Sequence, residues 1–462
     1  MNPITIPNIT IPVIGLPTIG IPSVGFPSAS GGGLVWPKGL KESIKAIYDP
    51  KKQGLTNYDV IEAYTEDFKK WNNSPEKYTG SLTSNSLALT NVSQKTALIY
   101  SPIKPYDFKV LIRGLQEGQH VKFGFDYGEH ILEADKDGVY TLEWKEGLKS
   151  YGIYTNFVGE CNITITQLPT SILKDLSGNG NYAYLYGGKG KLNSGMGVYQ
   201  TDFSSWNYYP SLSTVEYSPK GLVIKKVNST AQFCASDFVG KFTAEVSGIP
   251  EGVSFYYRYN DKTTGSPVST MLSNGINEID CSNANGDANM TNMFLIGADN
   301  KDINITITQI PDYPNQLCYD GMMYAVCYGF PILTDYAVMA DRTWFDIRSV
   351  SCFIGKRNRS GDNLGAFEFE FRANQALSFG RTNSIIFADS GIVYQTKNSY
   401  NGIGIESGLL DDTDVLIIGA AQQNINNKPQ DIYIGCHGKI IIADRSFTED
   451  EITWLKDNWK KI

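Results

Sequence analysis

The sequence predicts a mainly β protein built from sandwich units, and three observations carry that reading. Aromatic residues make up 12% of the chain, led by 28 tyrosines, while 45 glycines and 20 prolines supply turns between short β-forming runs. Apolar and polar residues alternate at a period of two through residues 79–169 and again through 205–311. Both stretches carry the same landmarks in the same order. At 462 residues the chain is long enough for two to four domains.

Charge and cysteine usage narrow the function classes. Forty basic against forty-eight acidic residues give a formal net charge of −8, so the chain has no bulk attraction for phosphate polymers and nucleic-acid binding is disfavoured. Three histidines, His120, His130 and His437, limit any histidine-based metal site or Ser–His triad. Seven widely spaced cysteines without a CxxC pair argue against a zinc ribbon or a dense disulfide framework. They read as reduced thiols that pack as small hydrophobes, in keeping with assembly in a reducing cytoplasm. No apolar stretch approaches the ~20 residues a membrane helix requires, so membrane insertion is not expected.

Residues 1–28 form an arm with a period of five. The triplets Ile4-Thr5-Ile6, Ile9-Thr10-Ile11, Ile14-Gly15-Leu16, Ile19-Gly20-Ile21 and Val24-Gly25-Phe26 are followed in turn by Pro7, Pro12, Pro17, Pro22 and Pro27. A helix is excluded, because each proline removes a hydrogen bond and disfavours helix at the residue before it. A signal peptide is not expected either: there is no basic n-region, and prolines interrupt the apolar run. β-branched residues with regular proline favour an extended strand, which cannot bury its own apolar side chains. Those side chains therefore require a partner surface or sister chains in a dimer or trimer. The stretch to Gly33 is a flexible tether.

Residues 34–78 read as a short helical segment. Leu40, Ile44 and Ile47 fall on one helical face, and Thr56-Asn57-Tyr58-Asp59 resembles a capping sequence ahead of Val60, Tyr64, Phe68 and Trp71. Two inserted β units follow, 79–169 and 205–311. Cys161-Asn162-Ile163-Thr164-Ile165-Thr166-Gln167 is echoed by Ile303-Asn304-Ile305-Thr306-Ile307-Thr308-Gln309, and Gly114-Leu115-Gln116-Glu117-Gly118 by Gly248-Ile249-Pro250-Glu251-Gly252. An aromatic strand follows each glycine corner, and Asp137-Gly138-Val139-Tyr140 matches Asn274-Gly275-Ile276-Asn277. Four ordered landmarks predict a duplicated sandwich unit of the jelly-roll type.

Several motifs invite chemistry. Glu368 and Glu370, at i and i+2 of an alternating strand, would stand ~7 Å apart on one face, as paired glycosidase carboxylates do. The same alternation describes an ordinary half-solvated strand, and no third acid follows, so catalysis is not expected. Asp411-Asp412-Thr413-Asp414 and the Asp175…Asn181 turn could offer oxygen ligands to calcium but lack EF-hand spacing. No other cofactor is indicated. Gly187-Gly188-Lys189-Gly190-Lys191 lacks P-loop spacing and reads as a turn. Among the aromatics, Trp206, Tyr208, Tyr209 and Tyr257 are candidates for stacking on sugar rings, against the alternative of core packing.

The remaining segments resemble concanavalin/laminin-G-like domains in phages of gut Bacteroidales. The resemblance rests on Asp49-Pro50-Lys51-Lys52-Gln53-Gly54-Leu55, on Leu173-Lys174-Asp175-Leu176-Ser177-Gly178-Asn179-Gly180-Asn181, and on Leu317-Cys318-Tyr319-Asp320-Gly321 leading to Phe330-Pro331-Ile332-Leu333. It also includes Phe447-Thr448-Glu449-Asp450-Glu451-Ile452, which reads independently as a closing helix with Thr448 as N-cap, Glu451 completing a capping box and Phe447 stapled to Ile452. Met322 and Met323 stand where the family's turn carries acids, which removes support for a calcium role there. The resemblance implies a laminin-G/concanavalin-like jelly-roll sandwich, split into 34–78, 170–204 and 312–462 by the two inserted units. It further implies a virion structural protein, a head fibre or capsid decoration protein similar to those of crAss-like phages. The arm 1–33 would grip capsid or other virion proteins on the particle exterior, and the β domains would project outward toward host-surface or mucus glycans. A tail-fibre or secreted carbohydrate-binding adhesin is the alternative, and the lack of a secretion signal favours the first.

Overall fold

The computed structural model describes residues 34–462 apart from 56–61, 103–106, 126–128, 144–149, 189–190, 212, 228–231, 287–291, 298–300, 347–350, 357–366, 374–375, 379–388, 405–412, 422–428 and 430–431. The proline-period arm lies outside the described residues. The protein is mainly β: six antiparallel sheets pack as three two-sheet sandwiches, each around its own apolar cluster.

The main sandwich is drawn from three separate parts of the chain. Its larger sheet runs Gly195–Val198, Asp312–Asp320, Ile434–Ala443, Ala337–Trp344, Ser390–Thr396, Ser399–Tyr400 and Ile403–Gly404, with Ile44–Tyr48 also paired to Ile434–Ala443. The facing sheet runs Ile172–Leu173, Ala183–Tyr186, Tyr324–Tyr328, Val415–Ile418, Ser351–Lys356, Phe367–Ala373 and Ala376–Ser378. Strand Ile434–Ala443 is buried without alternation, and its Ile440–Ala443 end is apolar because it is covered twice. Ile440 and Ile442 enter the sandwich core, while Ile441 and Ala443 lie under the C-terminal helix Glu449–Asp457. That helix opens as its sequence indicates: Glu451 N–H donates to Thr448 Oγ1 (3.3 Å) and Thr448 N–H to Glu451 Oε2 (2.9 Å), with Phe447 and Ile452 in one cluster.

The N-terminal segment is not the helical one expected. Leu40 ends up in a single turn, Leu40–Ser43, and Ile44–Tyr48 is a strand. A bulge between Ile44 and Ala46 shifts the side-chain parity, so Ile44 and Ile47 face the same way at a spacing that imitates a helix. Phe68–Lys70 is one 3₁₀ turn capped by Asp67. Thr56–Asp59 and Val60 lie outside the described residues.

The first inserted unit has one sheet ordered Asn72–Asn73, Ile99–Pro102, Ser150–Thr155, Val121–Phe125, Glu129–Ala134, and another ordered Tyr78–Leu82, Ser86–Val92, Gly159–Gln167, Phe108–Arg113, Gly138–Leu142. The second has Asn207–Tyr208, Gln232–Ser236, Asn292–Gly297, Ser254–Asn260, Pro267–Met271 in one sheet and Ser213–Ser218, Gly221–Val227, Lys301–Ile310, Lys241–Ser247, Gly275–Asp280 in the other. Numbered from each unit's start, the strand orders are the same: first, fourth, ninth, sixth, seventh, and second, third, tenth, fifth, eighth.

The repeated landmarks each hold a piece of backbone. Gly114 (φ +89°) and Gly248 (φ +82°) turn the chain where an added Cβ would lie 1.8 Å from the Asn162 carbonyl oxygen and 2.0 Å from that of Asn304. Asp137 accepts from the N–H groups of Gly114 and Leu115, both at 2.9 Å, and Asn274 accepts from Ile249 N–H at 2.9 Å. Gln167 Oε1 accepts from Glu66 N–H (2.9 Å) while its amide donates to the Glu66 carbonyl (3.0 Å). Gln309 clasps Thr201 in the same way, at 3.2 and 2.8 Å. Each unit is thus tied shut where the chain enters and leaves.

The units differ in how they meet the main sandwich. Leu111 and Leu168 of the first unit are buried with Tyr184, with Val139 packed alongside, and Arg113 pairs with Asp414 at 3.0 Å. At the matching positions of the second unit stand Glu245, exposed, and Ile276, 73% exposed. Among the described residues, nothing covers these two positions on the second unit.

Candidate functional site

The open unit carries an aromatic groove at its entry turn. Asp202 accepts from Ser204 N–H (2.9 Å) and caps the 3₁₀ turn Phe203–Ser205. That turn sends Trp206 into the core, where its indole N–H donates to Thr201 Oγ1 (2.9 Å) and its ring lies on Phe294. Tyr257 is buried as well, edge-on to Phe294. Of the sugar-stacking candidates, Trp206 and Tyr257 take the alternative of core packing: both are buried in the cluster that joins the unit's two sheets.

The surface aromatics beside the entry turn include Tyr208, Tyr209 and a residue the sequence motifs do not single out, Tyr217. Tyr208 is half-buried and donates its hydroxyl to the Phe203 carbonyl at 2.6 Å. Its ring stacks on that of Tyr217, with centroids 4.2 Å apart and planes 3° from parallel. Tyr217 is 51% exposed. Tyr209 is half-buried, and its carbonyl accepts from Ser213 N–H at 3.2 Å. A groove of about 400 Å³ runs beside this pair, lined also by Trp206, Asn207, Pro210, Ser213, Thr214 and Val215. A second depression of about 340 Å³ flanks Tyr217 toward Lys220, Thr306 and Thr308. The signal for Tyr217 was present in the sequence as an exposed position of the alternating strand Ser213–Ser218, but nothing local pairs it with Tyr208.

The first unit has the same entry turn without the groove's aromatics. Asp67 caps Phe68–Lys70, and the Trp71 indole N–H donates to Glu66 Oε2 at 3.1 Å. Asn73 then stands in the place of Tyr208, Leu82 in that of Tyr217, and Tyr78 in that of Ser213. Tyr78 is buried and donates its hydroxyl to Asn73 Oδ1 (2.8 Å), filling the space that Ser213 leaves.

The paired-carboxylate reading of Glu368 and Glu370 does not survive the geometry. Glu370 adopts φ +57°, which turns its side chain into the main core. There Arg342 grips it through Nε (2.6 Å) and Nη2 (2.5 Å), the Trp344 indole donates at 2.8 Å, and Tyr400 donates its hydroxyl. Burial acts against the charged form, yet Arg342 and these donors hold the carboxyl below its ordinary range. The Glu368 side chain lies outside the described set.

Nearby, His437 is buried with Tyr319 Oη at 2.9 Å from Nε2 and the Gly438 carbonyl 2.7 Å from Nδ1. A neutral ring protonated on Nδ1 satisfies both, and burial holds the imidazole at about 4.

The Asp175 turn is a latch. Its carboxylate accepts from the N–H groups of Ile47, Ser177 and Asn181 and from the Ser177 hydroxyl, at 2.9–3.1 Å. The amides of Asn179 and Asn181 donate to the carbonyls of Ile44 and Lys45. The Asp175 carboxylate is thereby occupied by donors from its own turn and from Ile47, and the two asparagine amides tie the turn to strand Ile44–Tyr48. Asp414 pairs with Arg113, and Asp411 and Asp412 lie outside the described residues. Among the described residues no group of three or more His, Cys, Asp or Glu is placed to hold a metal, and no helix is long and apolar enough to cross a membrane. No family model matches the chain, and no curated protein matches it.

Proposed function

We propose that the chain is a structural virion protein of a tailed phage, a head fibre or capsid decoration protein of the kind found in crAss-like phages of Bacteroidales. In this reading the fold is a laminin-G/concanavalin-like jelly-roll sandwich interrupted by two copies of one sandwich unit. Shared strand order, matched glycine corners and matched glutamine clasps support the duplication. The chain is made in the host cytoplasm and mounted on the capsid exterior, with capsid proteins and sister chains as partners. The observation that carries the proposal is the arm: five apolar triplets punctuated by proline, joined to sandwiches whose own cores are already complete. Such an arm gains stability only on another protein's surface.

A tail-fibre or carbohydrate-binding adhesin is the second reading, and the Tyr208–Tyr217 groove favours it. Gold-labelled antibody against residues 205–311, imaged on purified particles, tests the assignment. Label over the head is expected; label confined to the tail supports the adhesin reading, and unlabelled particles overturn the virion role.

A further inference from the structure

We infer that the groove of the second inserted unit is a binding subsite for a neutral pyranose, with the open face of Tyr217 as its platform. Three independent features converge there. The first is preorganisation: Tyr208, anchored by its hydroxyl to the Phe203 carbonyl, backs one face of Tyr217 and leaves the ring held with its other face toward solvent. A rigid ring with little rotamer freedom to lose suits the C–H face of a sugar.

The second feature is an orphaned hydroxyl. Ser213 is 4% exposed, lines the groove, and its Oγ has no hydrogen-bond partner among the described residues. A buried polar atom without a partner is costly, and a ligand hydroxyl supplies one. The corresponding Tyr78 of the first unit is both larger and paired. The groove is thus open and under-satisfied only in the unit that the main sandwich leaves uncovered.

The third feature is charge. Among the described residues no ionisable carboxylate, ammonium or guanidinium side chain lines the groove; its polar groups include the Asn207 amide and the Ser213 and Thr214 hydroxyls. Neighbouring Glu216 is engaged by Lys225. The groove's own neutral donors and acceptors fit a neutral sugar, while Lys220 lines only the second depression beside Tyr217. The volume, about 400 Å³, lies within the ~300–1,000 Å³ of small-ligand sites.

This inference deepens the glycan-facing side of the proposed function and rests on it only for where the sugar is met. The test is binding of the full chain to an immobilised panel of neutral oligosaccharides with terminal glucose, galactose, mannose, fucose, N-acetylglucosamine and N-acetylgalactosamine. Wild type should bind at least one; Tyr217→Ala should weaken that binding by about tenfold or more, and Tyr217→Phe should keep it. Ser213→Tyr, which copies the first unit's residue, should abolish it, with an unchanged thermal melt showing that the fold is intact. Leu82→Ala in the first unit should have no effect. No binding by wild type to any panel member, or binding that Tyr217→Ala and Ser213→Tyr both leave unchanged, overturns the subsite. Particle incorporation of Tyr217→Ala is read in parallel, so loss of the sugar site and loss of the virion role are separate results.

Discussion

His437 and Glu370 are ionisable residues in the main core, and both make the protein acid-sensitive, in different windows. His437 has its folded value depressed to about 4 from the ordinary 6.5, because burial opposes the imidazolium. Between those values the unfolded chain binds the proton and the folded one does not, so stability falls as pH drops from 6.5 toward 4. The full effect is roughly 3 kcal/mol, at ~1.4 kcal/mol per unit. Thermal melts of the wild type should lose stability through this window, and His437→Gln should flatten the slope there; an unchanged slope would contradict the assignment. Glu370 is also depressed, so its contribution is present above the ordinary carboxylate range and is lost as pH falls through its lower folded value. Glu370→Gln should cost about 3–5 kcal/mol in denaturant unfolding, because it strands the Arg342 guanidinium, whose Nη1 already lacks a partner, in the core. A loss below 1 kcal/mol would mean that the pair is solvated.

At the scale of elements, the two glycine corners should respond to mutation alike. Gly114→Ala and Gly248→Ala each force a Cβ into a carbonyl oxygen and a left-handed backbone, so each should lose about 2 kcal/mol or more, measured by urea denaturation. Loss at one corner alone would argue that the units close differently. These corners, the Asp137 and Asn274 staples and the glutamine clasps were legible in the sequence because backbone geometry dictates residue type at each. The closing helix was legible for the same reason, since Thr448 and Glu451 satisfy local N–H groups. Strand Ile44–Tyr48 was not, because one bulge converts a period of two into an i, i+3 spacing. Local pattern leaves Trp206 and Tyr257 open between surface and core because aromatic residues serve both, whereas the 3₁₀ turn that buries Trp206 repeats an Asp-Phe-x-x-Trp-Asn motif found in both units. Tyr217 escaped because its stacking partner lies across a turn, a relation set by tertiary structure alone.

The whole molecule divides labour between its two similar units. One spends its outer face on the main sandwich through Leu111, Leu168 and Val139; the other turns Glu245 and Ile276 outward and opens a groove at its entry turn. Such an arrangement holds one unit against the main sandwich and presents the other, which is compatible with the fibre body proposed above. In the proposed function, mounting falls to the arm. Its Ile, Leu, Val and Phe side chains offer ~1.5–3 kcal/mol each when buried on a partner, against an ordering cost of ~1–2 kcal/mol per residue, and several arms in one fibre would add avidity. The most direct measurement is the occupancy, on purified particles, of a chain lacking residues 1–33. The deletion variant should fold cooperatively, with the strand content of the intact sandwiches, and be missing from particles; a deletion variant that decorates particles at wild-type occupancy would contradict the account and transfer attachment to the globular body.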